Sequence, residues 1–247
     1  MNSKGNTPDQ NSSGFLSSTP KSLRYDFKSV DPDDVAIKIA RLISPESRVL
    51  DVGCGTGVVS EIIQNIANVK IVGIEPDSDR VNKAKERGLN VKLGLLDEKF
   101  ITENGKFDYV IFADVLEHLE NPSNIMYLAI KSLNPGGSII ASVPNVAHWF
   151  VRLDLIRGRF DYQDCGIMDA THLRWFTKKT IISFFKSHEL KLDGVDYTIN
   201  IALPDYINRY PWKWFPLRIK KNIVKILARF FPTLFGCQFI IKGTKIE

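Results

Sequence analysis

The chain has 247 residues, 44% of them hydrophobic and 25% charged, with a formal net charge of +5. These are the proportions of a soluble globular protein long enough to bury its own core, and they exclude a fibrous, a wholly disordered or a disulfide-stapled chain. Its three cysteines, Cys54, Cys165 and Cys237, form no CxxC pair and no zinc spacing, so a reducing compartment is expected.

Met1–Pro20 is rich in Asn, Ser, Gly and Thr, and a disordered tail is expected over residues 1–22. The remainder, residues 23–247, reads as one domain. No secretory signal opens the chain, and no apolar run approaches ~18 residues, so no membrane span is expected. Asp31-Pro32-Asp33-Asp34 predicts a helix capped at Asp31 and running through Val35, Ile39, Leu42 and Ile43 to Pro45. A strict alternation follows. Strands are predicted at Arg48–Val52, Val69–Glu75, Asn90–Gly94, Phe107–Ala113 and Ser138–Val143. Helices are predicted around Val59–Ile66, over Ser78–Arg87 and from Asn121-Pro122 through Leu133. Residues 144–177 lose the rhythm. Thr177 then caps a helix carrying Ile181, Phe184, Phe185 and His188. Leu190–Ile199 and Cys237–Lys242 read as further strands, with an insertion over residues 200–236 between them. Alternating strands and helices predict an α/β protein, an open parallel sheet covered by helices on both faces.

The stretch VLDVGCGTG leads from the first strand into Gly53, Gly55 and Gly57. In an open α/β sheet, ligands sit beyond the carboxyl ends of the strands. A glycine turn admits a ligand close to backbone, and the helix beyond it offers free N–H groups. Glu75 ends the second strand, where a carboxylate can take both hydroxyls of a ribose. An adenosine-bearing cofactor is expected. The spacing is G-x-G-x-G, not the G-x-G-x-x-G of dinucleotide enzymes, and Asp51 is a poor neighbour for a pyrophosphate. It suits a cofactor carrying an ammonium and a sulfonium.

VLDVGCGTG, GIEPD, FDYVIFADVLEHL and LNPGGSIIASVPN, in that order, resemble the Rossmann-like class of S-adenosylmethionine-dependent methyltransferases. The resemblance implies a seven-stranded, mostly parallel sheet with an antiparallel last strand, and S-adenosylmethionine as cofactor. It puts Asp51, Gly53, Cys54, Gly55 and Gly57 by the methionine part, Glu75 on the ribose and Asp114 at the methionine end. The family often carries an acid just after the third strand, near the adenine. Here Leu95 stands at that place, and Asp97 is the expected substitute.

A hydroxyl acceptor needs a base, and the chain has four histidines. His188 reads as a helix-edge residue. His118, in DVLEHL, either starts a helix or acts. The motif is similar to one in quinone-biosynthesis O-methyltransferases, where Asp114, Glu117 and His118 would be the positions able to hold a divalent metal; no metal is expected here. His148 and His172 lie in the irregular stretch, read as an acceptor lid, and are the leading candidate bases. The wording of Val143–Thr177 resembles methyltransferases that accompany glycosyltransferases in cell-surface polysaccharide assembly. That implies a saccharide or lipid-linked saccharide acceptor, with a quinone or other small aromatic as the alternative. A nicotinamide-dependent oxidoreductase and a non-catalytic cofactor-binding module remain open.

Residues 217–231 form a basic amphipathic helix, with Ile219, Ile223, Ile226, Leu227 and Phe230 on one face and Arg218, Lys221, Lys225 and Arg229 mostly opposite. It reads either as a membrane-surface element or as a helix packed on its own sheet or a dimer partner. No nucleic-acid module is present. The expected location is cytoplasmic, with a peripheral place at the inner membrane face if the surface reading holds.

Overall fold

The computed structural model describes residues 31–246, so the tail expected over residues 1–22 lies outside the described residues. A seven-stranded sheet forms the centre, in the order β3-β2-β1-β4-β5-β7-β6. The strands are β1 Arg48–Val52, β2 Lys70–Glu75, β3 Asn90–Leu93, β4 Phe107–Ala113, β5 Leu133–Pro144, β6 Leu190–Tyr197 and β7 Gln238–Lys245. The first five run parallel, whereas β7 lies antiparallel between β5 and β6. The strand order reverses between β1 and β4, which puts the ligand crevice at their carboxyl ends.

Alternate residues of each central strand feed opposite layers, as the two-residue pleat requires. Leu50, Val110, Phe112 and Ile139 enter one core. Val49, Tyr109, Ile111 and Ile140 enter the other. Helices α1 Val35–Ala40, α2 Val58–Ala67, α3 Ser78–Glu86, α4 Glu98–Asn104, α5 Pro122–Lys131, α6 Trp149–Ile156 and α7 Lys178–Ser187 accompany the strands. The insertion between β6 and β7 folds into α8 Pro204–Asn208, α9 Leu217–Phe230 and α10 Pro232–Phe235.

Three details differ from the sequence-based expectation. Asp34, not Asp31, caps α1, accepting from Ala36 N–H at 3.0 Å. Asp31 and Asp33 instead pair with Lys221 and Lys225 of α9, at 2.6 and 2.9 Å. The helix α4 was not expected, because its short length carries little periodic signal. The stretch 144–177 is not wholly irregular: α6 starts at Trp149, and its apolar residues Phe150 and Val151 pack into a third core with Tyr206, Trp212 and Val224.

Candidate functional site

Gly53, Gly55 and Gly57 all hold left-handed backbone, with φ of +70°, +57° and +80°. A Cβ is strained there. The Gly53 N–H donates to the Ile74 carbonyl at 2.8 Å, which ties the turn to β2. A Cβ on Gly57 would collide with Leu89 Cδ1 and stand 3.0 Å from Ala84 Cβ, so the turn packs flush against α3. A Cβ on Gly55 would meet nothing within 4 Å, leaving the open side of the turn to a ligand.

Two buried acids flank this turn. Asp51 is 1% exposed. Its Oδ2 accepts from Ser60 Oγ at 2.5 Å, and its Oδ1 has no hydrogen-bond partner among the described residues. Burial, with a smaller push from the Glu75 charge, raises its pKa to about 7 against the pull of Ser60. Glu75 closes β2 and is 3% exposed. Its Oε2 accepts the Gly55 N–H at 2.9 Å and its Oε1 the Asp77 N–H at 3.2 Å. A carboxylate oxygen has two lone pairs, so each retains one for a hydroxyl. These groups fit S-adenosylmethionine: an orphaned acid oxygen for an ammonium, a carboxylate for a ribose diol, and an uncovered backbone turn.

Two expected cofactor residues take other roles. Cys54 Sγ turns away and packs with Val81, Ala84, Leu89 and Val91, so only its backbone belongs to the turn. Burial pushes its thiol well above the usual range. Asp97 caps α4, its Oδ1 accepting the Phe100 N–H at 2.7 Å. The helix start holds that side chain, a role that the unexpected α4 had concealed. Asp114 stands at φ +55° at the end of β4. Its Oδ1 accepts from Ser142 Oγ at 2.8 Å and its Oδ2 from Gln238 Nε2 at 2.7 Å. Burial raises its pKa, although both hydrogen bonds oppose the rise.

Beyond Asp114 the chain makes a single 3-10 turn, Leu116–His118, and a Cβ on Gly53 would lie 3.0 Å from Val115 at its start. The glycine turn and this turn are thus in contact. Glu117 is buried, and neither carboxylate oxygen has a hydrogen-bond partner among the described residues. Burial, then the charges of Asp114 and Asp169, hold its pKa well above the carboxylate range. The Glu117 carbonyl accepts the N–H groups of Leu173 and Arg174 at 2.8 and 2.9 Å, which fastens the stretch 144–177 onto the turn. This brings His172 to His118, ring centroids 4.8 Å apart and edge to face.

Glu117, His118 and His172 each offer a ligand atom, and these atoms lie within 4.8 Å of one another. His118 Nδ1 lies 3.2 Å from the Thr171 carbonyl, and His172 Nδ1 lies 3.2 Å from that of Ile167. A carbonyl can only accept, so each Nδ1 carries a proton, and in the neutral form of either ring the lone pair is on Nε2. One carboxylate and two neutral imidazoles fit a divalent cation. The quinone-enzyme analogy had put Asp114 in such a set; here the ligand atoms that gather are those of Glu117, His118 and His172. Two imidazoles also move the preference from magnesium towards manganese or zinc.

His148, an expected base, does not join this cluster. It is fully buried against Trp149, Phe150 and Tyr206, with Nε2 3.3 Å from Tyr206 Oη. Burial lowers its pKa to about 3, too weak a base for a hydroxyl. Ser60, Ser142, Gln238 and Thr171 support the site, and sequence reasoning missed all four. Only Ser142, two residues before Pro144 on an apolar strand, left a signal: a lone hydroxyl where every neighbour is apolar.

Comparisons with known proteins bear on the family and the fold. A family model described as "Methionine biosynthesis protein MetW" matches residues 33–216. A mitochondrial ubiquinone biosynthesis O-methyltransferase of Dictyostelium discoideum is 31% identical over 165 residues, which cover 51% of this chain and 51% of that protein. The ubiquinone biosynthesis O-methyltransferase of Colwellia psychrerythraea is 29% identical over 106 residues, 40% of this chain and 43% of that one. The chain therefore spans about half the length, or less, of the curated relatives it matches. Among solved structures, a SAM-dependent methyltransferase from Archaeoglobus fulgidus aligns with TM-score 0.56 at 16% identity, over 85% of this chain and 93% of that one. The [4+2]-cyclase SpnF aligns with TM-score 0.53 at 16% identity, over 86% and 81%. The fold is that of the methyltransferases, and a cyclase shares it, so the reaction must be argued from the site.

Proposed function

The chain belongs to this family, whose model covers well over half of it, and on that premise we propose that it is an S-adenosylmethionine-dependent methyltransferase acting on an oxygen of a quinone-type, phenolic acceptor. The family description names a pathway and no acceptor. Support for the acceptor class comes from the ubiquinone biosynthesis O-methyltransferases among its relatives, which favour a quinone-type compound over the saccharide suggested by the lid sequence. The observation that carries the reading is the Glu117–His118–His172 cluster, one turn beyond Asp114 and in contact with the glycine turn.

S-adenosylmethionine, when bound, supplies a methyl group already activated on a sulfonium. The chain's own residues then have three tasks. Asp51, before the glycine turn, and Glu75, bonded to it, hold and orient the donor. The lid, fastened through the Glu117 carbonyl, excludes water and fixes the acceptor in line. The lone pair on His172 or His118 Nε2 receives the hydroxyl proton as the oxygen gains its methyl group. A divalent cation held by Glu117 and one of the two imidazoles would make that proton more acidic and leave the other imidazole's lone pair to receive it. Phenolic hydroxyls, with pKa near 10 as for tyrosine, lie within reach of such a base; sugar hydroxyls are far weaker acids.

The test uses S-adenosylmethionine labelled in its methyl group, with a simple catechol and a methyl glycoside as competing acceptors. Label is expected in the catechol, and removal of divalent metal by a chelator is expected to abolish the transfer. Label in the glycoside would revive the saccharide reading. Binding of a nicotinamide dinucleotide in place of S-adenosylmethionine, measured by calorimetry, would refute the methyltransferase assignment itself.

A further inference from the structure

Helix α9 does not pack as its sequence pattern suggested. Val224 and Ala228 face the protein, and the buried Lys220 ammonium donates to the Tyr206 carbonyl. The ion pairs of Lys221 with Asp31 and Lys225 with Asp33 pin the helix in that orientation. Of the expected apolar face, Ile223 and Leu227 pack partly against the third core, while the other three residues are left outside. Ile219 is 48% exposed, Ile226 59% and Phe230 70%. Their spacing, i, i+7 and i+11, puts all three on one stripe of the helix.

The stripe continues into neighbouring exposed residues. Tyr210 and Trp214 stand edge to face, 4.8 Å apart, just before α9, and Leu217 and Phe231 are exposed at its two ends. Lys213 lies 3.5 Å from the Tyr210 ring, and Arg218 and Arg229 are on the same helix as the stripe. Residues 206–246 contain no Asp or Glu.

We propose that this face docks on an anionic lipid bilayer. Exposed tryptophan and tyrosine, an apolar helical stripe and flanking cations are together what a bilayer interface accommodates: rings and aliphatic groups at the acyl boundary, ammonium and guanidinium groups among lipid phosphates. A second copy of the chain is the other natural cover for such a stripe. A two-fold contact would set Lys213, Arg218 and Arg229 against the same cations of the other copy, with no acid in the segment to neutralise them. Charge complementarity therefore selects an anionic surface. Among the described residues no helix is long and apolar enough to cross a membrane, so docking is peripheral. No residue of this face belongs to the Glu117 cluster, so the proposal stands or falls independently of the acceptor.

The experiment floats the full chain with vesicles of equal parts phosphatidylglycerol and phosphatidylcholine, and with phosphatidylcholine alone, without methyl donor or acceptor. The chain is expected to float with the anionic vesicles and to release at about 1 M salt, where charges are screened beyond ~3 Å. An Arg218→Gln, Arg229→Gln pair should lower partitioning on the order of 20- to 30-fold, at about fivefold per cation. An Ile226→Ser, Phe230→Ser pair should lower it by about tenfold or more. All variants change residues of the outer side of the helix, and an unchanged melting temperature and S-adenosylmethionine affinity would show that they fold. Absence of flotation with anionic vesicles would overturn the proposal. So would a wild-type dimer that Phe230→Ser converts to monomer, which would assign the face to a second copy.

Discussion

Replacing Asp51 by Asn should stabilise the ligand-free protein at alkaline pH while destroying its affinity for the methyl donor. Burial holds the Asp51 carboxyl at a pKa of about 7, against an ordinary 3.8. The folded state thus keeps a proton that the unfolded state has released. A group whose folded pKa is raised favours folding below that pKa and opposes it above. The wild-type chain should therefore lose stability between about pH 4 and 7 relative to the Asp51→Asn variant. Between pH 5 and 8 the two differ by about 2 pK units of proton release, which is about 3 kcal/mol. Urea unfolding of both proteins at these two pH values measures it as a double difference, which cancels every other titrating group. S-adenosylmethionine brings an ammonium to the orphaned oxygen, so wild-type binding near pH 6 should release a proton, visible as a dependence of calorimetric heat on buffer ionisation enthalpy. Parallel pH profiles for the two proteins would refute the reasoning, because they would mean that Asp51 is already ionised at pH 5.

Other outcomes follow from the same geometry. Gly57→Ala puts a side chain at φ +80° and into Leu89; it should cost about 2–4 kcal/mol and lower the melting temperature by roughly 4–16 °C. Arg209 forks onto Asp154 at 2.9 and 2.5 Å and pairs with the buried Asp205. Arg209→Lys loses the fork and should destabilise by about 1–2 kcal/mol in urea titrations, Arg209→Ala by about 2–3. His148 stays neutral when folded, so stability should fall as pH drops below about 6.5, where the unfolded histidine takes its proton. His148→Phe should remove that acid sensitivity and spare turnover, while His172→Ala should cut turnover about 100-fold or more; the reverse pattern would exchange their roles. Glu117→Gln should weaken binding of manganese in equilibrium dialysis and leave S-adenosylmethionine affinity unchanged.

Periodic features were readable in the sequence. The central strands and the glycine turn were legible because burial on both faces and a run of closely spaced glycines leave strong local signals. Glu75 was legible because it ends a strand beside that turn. The acceptor side was not, because Glu117 and His172 meet through hydrogen bonds from Leu173 and Arg174 to one carbonyl, a contact with no pattern in the chain. Asp97 misled because a helix cap and a cofactor acid look alike in sequence. His148 and His172 lie in the same stretch, and only packing separates the buried ring from the one beside Glu117. The amphipathic pattern of α9 was legible, but its orientation was not: two aspartates about 190 residues earlier, Asp31 and Asp33, decide which side turns inward.

The antiparallel strand β7 has a consequence for how the protein comes into being. It fills the space between β5 and β6, and Gln238 at its start completes the shell of Asp114 from 124 residues away. During synthesis, β5 emerges long before its second neighbour. For seconds its apolar run Ile139–Val143 is an unpaired edge, the kind of surface that recruits strands from other chains. A nascent chain stalled between β5 and β7 would therefore carry the donor-pocket residues of β1 to β5 and yet be primed to aggregate. β7 serves as a seal, and the β5 edge is covered only when it docks.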